Sequence, residues 1–239
     1  MAINSNLLRR PTDRNLYLAA GVLFPLLVFI GYFKTYYLSR FFDVPPIANS
    51  LVHLHAIVMS VWVLYFTAQV ALIRTKNVKL HMTMGMTGIA LAAIVVVVGL
   101  ATAYDSHVVR HTAPPGLNPY SFLVIPLGDM SLFILFFAGA IYYRKKPFEH
   151  KSLMLMTAIN FAAPAIARIP VVAPEYFLLW AFGVPCLIAI ACLIGLSIRH
   201  RKINKVFALA VLLFVVLQPL RISIGLSDWW VQLMTQIFG

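Results

Sequence analysis

Seven apolar runs divide the 239 residues, at roughly 15–33, 48–73, 82–104, 120–143, 152–172, 175–198 and 206–225. About 20 residues of helix cross the hydrocarbon of a bilayer, so each run predicts a transmembrane α-helix. Past 225 the pattern changes. "SDWWVQLMTQIFG" places Trp229, Trp230, Leu233, Met234, Ile237 and Phe238 on one side of a helix, with Ser227 or Asp228 as its N-cap. That predicts an amphipathic tail over 226–239 lying on the membrane surface. The expected fold is an all-α membrane protein, one domain over 1–239. The first run follows Arg9, Arg10 and Arg14, yet "GYFKTYYLSRFF" offers no small-residue cleavage site, so it reads as an uncleaved anchor.

Composition agrees. Hydrophobic residues make up 62% and charged ones 11%, with a mean hydropathy of +0.89, against about a quarter charged in a soluble domain. The net charge of +12 would suggest nucleic acid if its bearers formed one patch. Instead, fourteen of the 19 Lys and Arg fall in the N-terminal segment and the loops around "RTKNVK", "RKKPFEHK" and "RHRKINK". Only Lys34, Arg40 and Arg110 fall on the alternate loops, while Arg168 and Arg221 lie within runs. This positive-inside bias orients the chain N-in and C-out, with basic loops facing anionic lipid rather than nucleic acid. A multi-pass protein of a bacterial-type inner membrane is expected. Cys186 and Cys192 lie six apart on one helix and point in different directions, so they read as apolar filler.

Polar groups inside the runs carry the candidate chemistry, because each needs a partner in lipid. A helix turns about 100° per residue. On the second run His55, Met59, Trp62, Phe66 and Gln69 therefore share a stripe, and His53 faces away. The third run shows His81, Gly85, Gly88, Ala92 and Gly99, a smooth seam; the fifth shows His150, Met154, Thr157, Phe161, Pro164 and Arg168. Depth sorts the histidines into two levels. His55 is about 27 Å from the inner end of its helix, with His107 and His111 in an outer connection, whereas His81 and His150 open helices at the inner end. A membrane haem b takes axial imidazoles from two helices at one depth. Taken singly, His81, His150 and especially His200, at helix ends beside basic loops, also read as interfacial residues among lipid headgroups.

Asp129 lies about nine residues into the fourth run. Arg168 and Arg221 reach the same half, and either would compensate it, leaving the other for a propionate, a quinone oxygen or a substrate carboxylate. The methionines of "HMTMGM" alternate around their helix and read as packing. No phosphate loop, dinucleotide fingerprint or zinc signature occurs. The seventh run has no lysine for a retinal Schiff base.

The second hairpin, "HAIVMSVWVLYFTAQVALIR" followed by "KLHMTMGMTGIALAAIVVVVGLATAYDSH", resembles the b-type cytochromes that carry electrons from ascorbate across membranes. The matching positions are His55, Met59, Arg74, Lys79, His81, Gly99-Leu100 and His107. The resemblance implies an inner haem on His81 and His150 and an outer one with His55 as a ligand. In that family the helix-four position carries the second outer ligand; here it reads Leu123, leaving His111 as the substitute, and the family has six spans rather than seven. The chain also resembles a poorly characterised group of bacterial membrane proteins with "HxxxG" and "HKxLM" hairpin starts. The expected function is transmembrane electron transfer through haem b, with a quinone or small molecule as electron donor. The alternatives are an anion or proton-coupled transporter using Asp129, Arg168 and Arg221, with Pro126, Pro164 and Pro185 kinking helices around the site, or an accessory subunit of a larger membrane complex.

Overall fold

The computed structural model describes residues 11–113, 117–169 and 171–239. Arg9 and Arg10 of the first basic segment, and the Pro-Pro-Gly of the long outer connection, lie outside the described residues. Among the described residues eight α-helices follow one another: α1 Pro11–Tyr32, α2 Ser50–Arg74, α3 Val78–Tyr104, α4 Pro119–Tyr142, α5 Pro147–Ile166, α6 Val184–His200, α7 Lys205–Gly225 and α8 Asp228–Phe238. Wider π-helical turns extend α1 over Phe33–Tyr37 and α3 over Asp105–Val109, and lead into α6 over Leu179–Gly183.

Local signals start these helices. Asn49, Asn118, Asn204 and Ser227 each accept a backbone N–H of the first turn of α2, α4, α7 and α8, satisfying donors that have no partner inside the helix. Arg201 takes a left-handed conformation (φ 51°) that stops α6.

Among the described residues six helices are long and apolar enough to cross a membrane, which makes the architecture multi-pass. The fifth apolar run is where expectation and structure part. Its helix begins at Pro147 and ends at Ile166, not at 152 and 172, and it is not among the six. α5 opens with Glu149, His150 and Lys151 and carries Ser152, Thr157 and Asn160, so it has little surface fit for lipid. Instead it occupies the centre. Thirteen of its 20 residues are buried, against α4, α1, α6 and α7. Small residues permit the close packing: a Cβ on Gly31 of α1 would collide with the backbone of Ala165. α5 stops because Ile169 precedes a proline, which disfavours helical backbone there. Trp180 Nε1 then donates at 2.8 Å to the carbonyl of Ile166, which also accepts from Ile169 N at 3.1 Å.

α2 and α3 form a hairpin, α3 packs on α4, and α7 packs on α4. One core joins Phe24, Trp62, Phe66, Val95, Phe133 and Phe161; a second joins Phe136, Leu153, Met156, Phe207 and Phe214. α8 follows its expected capping, with Ser227 Oγ accepting from Trp230 N. Trp230 Nε1 latches it to the Tyr120 carbonyl of α4 at 2.8 Å, and Met234 is buried.

Candidate functional site

His81 opens α3 and His150 opens α5, each one turn after a loop. α3 and α5 pack on α4 rather than along each other, yet the two imidazoles meet: their ring centres are 6.3 Å apart and their planes cross at 78°. His150 Nδ1 lies 2.8 Å from the carbonyl of Ala140. A carbonyl only accepts, so Nδ1 carries the proton and Nε2 of a neutral ring keeps its lone pair. Ala140 sits in the last turn of α4, where carbonyls lack helical partners, and that is why one is free to take this proton. His81 Nδ1 is buried with no well-formed hydrogen bond, although the ring lies against the backbone of Gln69. Both polar atoms of the Gln69 side chain are likewise buried and unpartnered.

Farther along the α2 stripe, Trp62 Nε1 and His55 Nδ1 are also buried without partners. Trp62 packs edge-on against Phe133 and Phe137, at 5.0 and 5.6 Å. His55 is within electrostatic reach of Arg168. Arg168 itself is not on a helix face. It emerges past the end of α5, exposed, with its guanidinium 4.4 Å above the Tyr32 ring and Nη1 donating to the Pro164 carbonyl. His111 is exposed in left-handed backbone (φ 49°) and rests against Tyr120, while Leu123 is buried in the cluster beneath α8. Among the described residues the structure therefore pairs His81 with His150, but brings no second imidazole against His55.

Of the two arginines that matched the depth of Asp129, Arg221 is its partner. Arg221 Nη1 donates to Asp129 Oδ1 at 2.5 Å and to the Ile125 carbonyl at 3.1 Å, and Nη2 donates to Gln218 Oε1. Asp129 and Arg221 are 7% and 4% exposed. A Cβ on Gly128 would strike Arg221 Cδ, so the glycine lets the arginine cross α4. From α5, Asn160 Nδ2 donates to the Asp129 carbonyl at 3.0 Å.

Two amides, Asn160 and Gln218, complete this junction without having been singled out from the sequence. Their signal was the one that exposed Asp129, a polar residue inside an apolar run. His200, expected among lipid headgroups, instead has its Nε2 2.5 Å from Asp13 Oδ2, which Lys151 Nζ approaches at 3.3 Å. Those contacts tie α1 to α5 and α6 at the end where His150 sits.

The chain matches no family model, no curated protein and no solved structure.

Proposed function

We propose that this chain is a membrane electron-transfer protein that holds a haem b between His81 and His150. The observation that supports it is the separation of the two rings. A metal–imidazole bond is about 2.0 Å, and the ring centre lies about 1.1 Å behind the nitrogen. Two imidazoles on opposite sides of one metal thus have centres about 6.2 Å apart, against the 6.3 Å found.

The donor set fits as well. Among the described residues no three His, Cys, Asp or Glu converge, too few for a cation bound by side chains alone. A haem would need only two imidazoles from the chain, which His81 and His150 would supply. His150 is oriented by the Ala140 carbonyl, the arrangement usual behind a metal-bound histidine. The buried atoms of His81 and Gln69 that lack a well-formed hydrogen bond support the reading too, since buried polar groups ordinarily have a partner. When bound, the haem supplies one-electron transfer. The protein's part is to fix both imidazoles and place basic side chains at the inner end.

In this reading α5 crosses the bilayer together with the six apolar helices, giving seven crossings, N-in and C-out in a bacterial-type inner membrane, with α8 on the outer surface. The electron donor is a quinone or another small molecule, and other membrane subunits are candidate partners. The test is a pyridine haemochrome assay on protein expressed with ample haem. Wild type is expected to show a Soret band and paired reduced-state peaks, and His81→Ala and His150→Ala to lose them. A colourless wild type overturns the reading.

The buried Asp129–Arg221 pair supports one other reading, a proton-coupled carrier. It predicts colourless protein whose transport activity disappears in Asp129→Asn.

A further inference from the structure

The α4–α5–α7 junction is incompletely bonded in a chemically definite way. Asn160 donates through Nδ2 to a carbonyl, which only accepts, so its amide cannot be turned and the atom left over is the acceptor Oδ1. Gln218 accepts through Oε1 from a guanidinium, which only donates, so its leftover atom is the donor Nε2. Arg221 uses Nη1 and Nη2 and leaves the donor Nε. All three leftover atoms are buried without a partner, on residues 0%, 2% and 4% exposed. They belong to one connected network around Asp129, and the Asp129–Arg221 pair already balances its charge, so an added ion would be left uncompensated.

We propose that this junction is a binding site for one internal water, which accepts from Gln218 Nε2 and Arg221 Nε and donates to Asn160 Oδ1. Two donors and one acceptor are the complement of a single water molecule, and buried waters typically make about three hydrogen bonds to otherwise unsatisfied groups. An apolar plug would leave every one of these atoms unsatisfied, and an anion would lack a donor to Asn160. The water turns the junction from a dry clamp into a hydrated one. Asp129, deep in the bundle, then shares a network with a molecule whose protons exchange, which a sealed ion pair does not provide. The inference stands apart from the haem reading and holds for a colourless protein.

Two measurements test it on the full-length protein in nanodiscs. An experimental density map that resolves ordered water elsewhere in the protein should show a feature within hydrogen-bond distance of Asn160 Oδ1 and at least one of the two donors. X-ray hydroxyl-radical footprinting, in which a trapped water labels the side chains beside it, should mark Phe182. Phe182 is the ring beneath Arg221, 5.9 Å from its guanidinium carbon. That labelling should fall several-fold in Gln218→Leu and in Asn160→Leu; if one of the two fails to fold, the other decides. A map empty at that position, or labelling that is absent in wild type or persists in the folded variant, overturns the proposal.

Discussion

Asp129 and Arg221 each have a small remaining exposure and one charged partner. A charge left alone in such surroundings costs far more than the pair contributes. Breaking a buried pair by removing one member destabilises by about 3–5 kcal/mol, whereas replacing both with apolar residues is often close to neutral. Arg221→Met should therefore lower the thermal unfolding midpoint in detergent strongly, and Asp129→Leu combined with Arg221→Met should recover most of the loss. Equal losses in the single and double variants would show that the pair is not the unit of stability. Gly128→Ala probes the same contact from α4. Its added methyl would overlap the stem of an arginine held by three hydrogen bonds, and the midpoint should fall.

At the scale of the element, α8 is held by a cap, one buried methionine and one side-chain hydrogen bond. Trp230→Phe keeps the ring and removes the bond to Tyr120. The loss is about 1 kcal/mol, and it should appear as faster proteolytic removal of the chain beyond 226 with little change in overall unfolding. Elements also separate what was legible in the sequence from what was not. The ends of α2, α4 and α7 fall within about two residues of their apolar runs, because caps and basic loops bound them. α5 was displaced at both ends. Its polar first turn does not look like membrane, and the apolar residues after Ile166 continue the run but not the helix, since Ile169 precedes a proline.

The site divides the same way. His81 and His150 stand out by position, each opening a helix after a basic loop, but their meeting depends on how α3 and α5 lean on α4, which no local pattern encodes. Depth alone left two partners for Asp129. Packing chose between them, because α7 lies along α4 while Arg168 has passed the end of its helix. His55 illustrates the limit of periodicity, which finds the face but not what stands opposite it.

For the whole molecule the parity of crossings matters, and it depends on α5. Seven crossings put the two ends of the chain on opposite sides, and six would put them on the same side. With Cys186 and Cys192 replaced by serine, single cysteines placed at Ser5 and at Gly239 should react with a membrane-impermeant maleimide in vesicles of opposite orientation. Reaction of both in the same vesicles would remove α5 from the count. The central place of α5 bears on how the protein is made. A segment that opens with Glu149, His150 and Lys151 and carries Asn160 partitions poorly from the translocon into lipid by itself, and the surfaces that shelter it include α6 and α7, which are synthesised afterwards. With seven crossings, integration of α5 would wait for those later helices, and joining the imidazole on α5 to the one on α3 would be a closing step of biogenesis.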